Sequence, residues 1–377
     1  EIGVRLVGSE MCIRDSFLYC FVIESILFFL VQYTKGSLQM KKQIIDFVIT
    51  WVDGSDPLWF RQKQNAKKKQ GVSVDIDDRI ERYRDWEILK YLFRSIENFA
   101  PWVNNVYFVT CGHLPAWLNT ECPKLQIVSH KDFIPEKYLP TFNSHSIEWN
   151  FHRIKNLSEH FVYFNDDMFL LHPIKPTDFF ENGKPVDMLA LQPDVANVED
   201  TIMPYIYLNN TMLLAKYFDK RENMKKQPGA YFHIGYPPMY FGYNLLEMAF
   251  PRFTGFYTVH GPSPLKKETY RFFWEKEEEL LDGVCSHPFR HKDDVSQYVL
   301  REYQKLSGDF VPRNTHKFCK YFNLKPENPE LVKTITKQTA KCICINDSNF
   351  EIPYEHVKRE LNDAFSKLFP QKSQFEK

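Results

Sequence analysis

Residues 44–57 read IIDFVITWVDGSDP and residues 161–167 read FVYFNDD. Each is a short apolar, β-branched or aromatic run that stops in an acidic turn, the pattern of a strand buried on both faces. Between them, residues 106–110 (VYFVT) and 125–129 (LQIVS) read as two further strands. Helical spacing separates them. Leu89, Leu92, Phe93, Ile96 and Phe99 form one apolar stripe behind Asp85 as a cap, ended by Ala100-Pro101. Ile147, Phe151, Ile154 and Leu157 form another within residues 144–157. Strands alternating with helices predict a mainly parallel α/β sheet flanked by helices, and ligands of such sheets bind beyond the carboxyl ends of the strands. If the first and fourth strands are parallel, Asp53 and Asp56 converge with Asp166 and Asp167 on one edge.

Working outward, residues 178–250 are rich in Pro, Tyr, Asn and Met and read as an irregular, substrate-side insertion. Residues 268–281 and 292–306 read as charged helices. Residues 353–369 read as a closing amphipathic helix with Val357, Leu361, Ala364, Phe365 and Leu368 inward. The layout is therefore an α/β core over 40–180, a substrate-side insertion over 181–255, and a segment over 256–377 that completes the domain. Residues 1–39 differ from the rest. Residues 2–16 lack either periodicity and resemble translated read-through, and the apolar run 17–31 is interrupted by Glu24. A membrane span needs about 20 apolar residues, so the expectation is a non-native leader with Met40 as the start. If the run belongs to the mature chain, it would tether the protein peripherally to a membrane.

Composition narrows the class. The 377 residues carry 48 Lys+Arg against 48 Asp+Glu, so no basic excess is available to neutralise nucleic-acid phosphates. A hydrophobic share of 44% excludes a disordered chain. Cys111, Cys122, Cys285, Cys319, Cys342 and Cys344 read as buried or free thiols of a reducing, cytoplasmic compartment. No GxGxxG, GxxxxGK[ST] or GxSxG motif is present, which disfavours dinucleotide oxidoreductases, P-loop enzymes and serine hydrolases.

Hard carboxylate ligands at Asp166-Asp167 suit Mg2+ or Mn2+ on a pyrophosphate, against the plainer reading of an Asx turn. Arg84 beside Asp85 can clamp phosphate or simply pair with its neighbour. Asn143-Ser144-His145 opens a helix, where capping competes with proton transfer. His260, His287, Arg290 and His291 concentrate imidazole and guanidinium without a zinc spacing. Asn346 offers an oxygen ligand or a cap.

Four blocks of text resemble the Stealth family. IDFVITWVDGSDP (45–57), SIENFAPWV…VYFVTCGHLPAWL (within 82–118) and LPTFNSHSIEWNFHRIKNLSEHFVYFNDDMF (139–169) are similar to its first two conserved regions. Residues 260–303, with HPFRHKDDVSQY, are similar to the third, and 344–376, CINDS…LFPQKSQFE, to the fourth. The resemblance implies a GT-A-like core that binds a nucleotide sugar over 40–180. It also implies transfer of a sugar 1-phosphate from a nucleotide sugar, UDP-linked, to a glycan hydroxyl of a surface polysaccharide. Carried over by position, Asp53, His145, His260, Arg290 and His291 are expected in catalysis. Arg84, Asp85, Asn143 and Asn346 are expected in substrate binding, and Asp166 and Asp167 at a divalent cation. A glycosyltransferase releasing a nucleoside diphosphate is the rival implied by the same acidic edge.

Overall fold

Strand β1 (Ile45–Thr50) buries every residue but its last, so it must be covered on both faces. In the computed structural model it sits at the centre of a five-stranded sheet with β2 (Val106–Thr110), β3 (Leu125–Ser129), β4 (His160–Phe164) and, later in the chain, β6 (Ser263–Lys266). The order is β6-β4-β1-β2-β3. Pairs β1–β2, β1–β4 and β2–β3 are parallel, and β6 lies antiparallel against β4. The expected mainly parallel α/β architecture is what the chain adopts. The structure describes residues 43–69, 84–195, 202–347 and 352–377, so the expectation for residues 1–39 lies outside the described residues.

Among the described residues, the α-helices of five or more residues in chain order are α1 (Pro57–Lys69), α2 (Leu89–Phe99), α3 (Ser144–Glu148), α4 (Met203–Ala215), α5 (Lys220–Lys226) and α6 (Pro238–Glu247). They continue with α7 (Lys267–Lys276), α8 (Glu278–Ser286), α9 (Tyr298–Leu306), α10 (Pro329–Lys337) and α11 (Tyr354–Leu368). The period of two along each strand sends alternate side chains to opposite cores. Phe47, Ile49, Phe108, Val162 and Phe164 pack with Leu92, Phe93 and Ile96 of α2 and Val357, Leu361 and Phe365 of α11. Val48, Tyr107, Phe161 and Tyr163 pack on the other face with Tyr270 and Phe273 of α7, Leu281 of α8 and Leu300 of α9. Three layers result.

A second sheet extends the acidic edge. Strand β5 (Met168–Leu170) follows Asp166-Asp167 at once and pairs antiparallel with β8 (Cys342–Asn346), which pairs parallel with β7 (Cys319–Asn323). The Ile345 amide donates to the Asp167 carbonyl at 2.9 Å, so the end of β4 is locked to β8 through backbone. Cys342 and Cys344 share one face of β8, as their alternation predicts, and the six described cysteines are free thiols.

Local readings differ from the structure in identifiable ways. Asp85 does not cap α2; its carboxylate accepts from the Glu87 amide, and the helix begins at Leu89. Residues 144–157 are not one helix. Asn150 turns its amide back to the Ser146 carbonyl and holds Arg153, so α3 ends early and a 3-10 turn follows at Phe151–Arg153. Residues 268–281 form two helices, broken at Glu277, whose carboxylate takes Lys216 and the Tyr217 hydroxyl. Residues 292–297 precede α9 rather than joining it. The stretch expected to be irregular holds α4, α5 and α6; Pro204, Pro228 and Pro238 sit in the first turns of helices, where a missing N–H costs nothing.

Candidate active site

Strand β1 ends in the turn Asp53–Asp56. Asp53 Oδ1 accepts from the Ser55 amide at 2.9 Å and hydroxyl at 2.6 Å, and Asp56 Oδ1 caps α1 through the Trp59 amide at 2.7 Å. The Asp53 amide donates to Nε2 of His113 at 2.7 Å, which fixes that ring as neutral at Nε2. Burial pulls the His113 pKa down, so the fixed tautomer persists.

Beside it, β4 ends at Asp166 and Asp167. Asp166 opens to solvent yet stands deep among protein atoms. Burial first, then the charges of Asp167 and Asp85, push its carboxyl up to about 7. Asp85 is raised in turn, by burial first and then by the charges of Glu87 and Asp53. The carboxylates of two parallel strand ends and of the segment before α2 therefore share one electrostatic neighbourhood, as the topology predicts. Asp167 Oδ2 accepts the Cys344 thiol at 3.2 Å, while Oδ1 is buried without a hydrogen-bond partner. Burial raises the Asp167 pKa, with His260 opposing.

The facing wall comes from α3 and the loop after α8. Asn143 is fully buried; its Oδ1 caps α3 through the His145 amide at 3.1 Å, and its Nδ2 donates to Asp294 Oδ2 at 2.9 Å. Asp294, also fully buried, accepts His145 Nδ1 at 3.1 Å, His287 Nδ1 at 2.6 Å and the His291 amide at 3.0 Å. Burial alone would raise its pKa, but the imidazoles hold it well below the usual carboxylate range. The His287 and His291 rings meet with centroids 4.4 Å apart, tilted by 40°. Arg290 donates through Nε and Nη2 to Ser144 Oγ at 3.2 and 2.9 Å, which aims the guanidinium across the mouth of α3. Its charge reaches Glu148, whose buried carboxyl rises to about 7 because burial outweighs Arg290 and the Tyr163 hydroxyl.

His260 bridges the two walls. Its Nδ1 meets the Tyr298 hydroxyl at 2.7 Å, and burial lowers its pKa against the pull of Asp167. The preceding residue is anchored by the buried Arg301, which donates to the Val259 carbonyl at 2.8 Å and pairs with Asp187. Gly261 admits no side chain, since a Cβ there would stand 2.8 Å from Cys319 Cβ.

Two expected residues stand at the periphery. Arg84 pairs through Nε with Asp347 at 3.0 Å and lies over Trp86, whose indole N–H also reaches Asp347 at 3.2 Å. Asn346 donates to Asn323 on the exposed ends of β8 and β7. Asp294 and Asp347 were absent from the expected set. A carboxylate three residues after His291 inside HKDD, and another directly after Asn346, were the available signals.

Asp166, Asp167 and the orphaned Asp167 Oδ1 fit a hard divalent cation, which takes one or two carboxylates and completes its shell with water and phosphate oxygen. Among the described residues no helix is long and apolar enough to cross a membrane.

Comparison with known proteins gives this site its relatives. Family profiles described as Stealth protein CR1, conserved region 1, CR2, conserved region 2, and CR4, conserved region 4, match residues 45–71, 82–188 and 333–377. The "Capsular polysaccharide phosphotransferase WcwK" of Streptococcus pneumoniae is 38% identical over 88% of this chain and 98% of its own. The "Exopolysaccharide phosphotransferase cps2G" of Lactiplantibacillus plantarum is 37% identical over 88% and 96%. The "Receptor polysaccharide phosphotransferase WefC" of Streptococcus oralis is 36% identical over 88% and 99%. A crystal structure of an active-site mutant of LgtC covers 84% of this chain and 95% of its own at 11% identity and a TM-score of 0.34, too slight a likeness to add to the layout above. The chain belongs to the Stealth protein family. It is an enzyme, a phosphotransferase of the Stealth type.

Proposed function

We propose that the enzyme transfers a hexose or N-acetylhexosamine 1-phosphate from a nucleotide sugar, UDP-linked, to a glycan hydroxyl, building phosphodiester links of a capsular or surface polysaccharide. The glycan oxygen attacks the phosphorus attached to the sugar. The bond from that phosphorus to the bridging oxygen breaks, and a nucleoside monophosphate leaves. The observation that carries this reading is the convergence on His260, which feels the charges of both Asp167 at the end of β4 and Arg290, with His145 and His287 held together by Asp294.

Asp166 and Asp167 would hold Mg2+ or Mn2+, which neutralises pyrophosphate charge when bound. Arg290 holds equatorial phosphoryl oxygens. His260 takes the hydroxyl proton, because its lowered pKa keeps it neutral and Tyr298 occupies only Nδ1. Asp53 and His291 are the alternative acceptors. His145 and Asn143 shape the Asp294 wall, while Arg84, Asp85 and Asn346 line the donor side. The reaction belongs in the cytoplasm, where nucleotide sugars are made, at the inner face of the plasma membrane.

The test incubates the full chain with a panel of nucleotide sugars, oligosaccharide acceptors and Mg2+ or Mn2+, beside a metal-free control. A nucleoside monophosphate with an acid-labile phosphodiester product is the expected result. A nucleoside diphosphate would make the enzyme a glycosyltransferase and overturn the proposal.

A further inference from the structure

The geometry points to a thiophilic metal site formed by Asp167, His260 and Cys344, suited to Zn2+ or Co2+ and incompatible with turnover when filled. One carboxylate oxygen, one imidazole nitrogen and one thiol sulfur lie within 4.8 Å of one another. Cys344 Sγ is already 3.2 Å from Asp167 Oδ2. Tetrahedral bonds of about 2.0–2.3 Å to zinc put their ligand atoms roughly 3.3–3.7 Å apart, a spacing that lies inside that 4.8 Å limit.

Three features make this a built site rather than a chance encounter. Asp167 and Cys344 cannot drift apart, because the Ile345 amide binds the Asp167 carbonyl and Cys344 stands opposite Met168 in the ladder. The Asp167 Oδ1 atom is buried and without a hydrogen-bond partner. Tyr298 engages His260 Nδ1 at 2.7 Å, the outer-shell contact that orients a ligating imidazole and, with the proton on Nδ1, presents the Nε2 lone pair.

The donor set selects the ion. Mg2+ takes oxygen ligands in octahedral array, whereas a sulfur, a nitrogen and an oxygen with one open position match tetrahedral zinc. On binding, the Cys344 S–H proton leaves to solvent and the thiolate bonds to the metal. The ion then occupies Asp167 and His260 together. Zinc thereby blocks the enzyme; this last step rests on the proposed roles of those two residues, whereas the binding does not.

The test titrates chelator-stripped full-length protein with Co2+ and reads absorption. One equivalent should produce a thiolate-to-cobalt charge-transfer band in the near ultraviolet, and Zn2+ should abolish it. C344S should lose the band, while C111S, which removes the thiol beside His113, should keep it. Absence of the band in the unmutated protein, or its survival in C344S, overturns the site. Should C344S fail to fold, D167N and H260Q decide: each should weaken cobalt binding at least tenfold, and unchanged affinity overturns the site. Zinc added to the Mg2+-supported reaction should lower nucleotide release over the range in which it displaces cobalt. Undiminished release overturns the blockade and leaves the absorption result to stand by itself.

Discussion

Asp294 Oδ2 lies 3.1 Å from Nδ1 of His145, although the two residues are 149 positions apart. One buried carboxylate thereby fixes two imidazoles, one backbone amide and one amide side chain, and so sets the geometry of a whole wall of the site. Removing it leaves the buried His145 imidazole without this acceptor and Asn143 with only the His287 carbonyl. Asp294→Ala should cost about 3–5 kcal/mol of stability, read by denaturant unfolding at neutral pH. Because the folded pKa lies below the ordinary 3.8, the stabilisation is present above that value and is lost as pH falls beneath it. The gap between the native protein and the variant should therefore narrow in acid; a gap independent of pH would mean that the ionised carboxylate is not the source.

Asp167→Asn and Arg290→Ala each remove a group assigned to the phosphoryl charge. Turnover should fall at least ~10²–10³-fold, with melting temperature retained as proof of folding. Near-normal nucleotide release in both variants would remove them from the reaction.

Glu148 offers a prediction of opposite sign. Its folded pKa is raised from 4.5 to about 7, so below 4.5 the folded state carries no penalty, and stability drains away as pH climbs toward 7. Glu148→Gln abolishes this titration. Thermal melts across that window should show the variant gaining on the native protein with rising pH, by up to about 3 kcal/mol. Parallel profiles would contradict the burial argument.

Much of this architecture was readable in the chain, for physical reasons that also explain the failures. Two-sided burial leaves a continuous apolar run, so VYFVT coincides with β2, whereas β3 is the half-exposed edge strand and LQIVS marks it through its apolar and β-branched residues. That Asp53 and Asp166 share one edge follows from the parallel pairing of β1 with β4 alone, whereas the approach of Asp85 does not. What failed was set by single side chains acting across the chain: Asn150 shortening α3, and Glu277 recruited by Lys216 to split a helix. Asp294 was missed because Asn143 and His145, which it joins to the nearby His287 and His291, lie 151 and 149 positions away, and a carboxylate in HKDD reads as solvated until the fold encloses it.

The crowded acids make cation binding measurable without a substrate. Adding Mn2+ should raise the melting temperature of chelator-treated protein, by the equivalent of about 2.7 kcal/mol at a hundredfold excess over Kd. Asp166→Asn should forfeit most of the gain. An equal gain in the variant would place the ion elsewhere.

The tail near residue 376 has a consequence for how the molecule is made. Arg94 of α2 grips the Glu376 carboxylate through Nε at 2.8 Å and Nη2 at 2.6 Å, and donates to the Phe369 carbonyl at 2.7 Å. Phe375 is fully buried in the cluster that contains Phe47 and Phe93. Strand β1 thus waits for residues more than three hundred positions further along before its core can close, and chaperones have a naked α2 face to hold in the interval. Loss of this clasp should slow refolding more than it alters chemistry at the remote acidic edge.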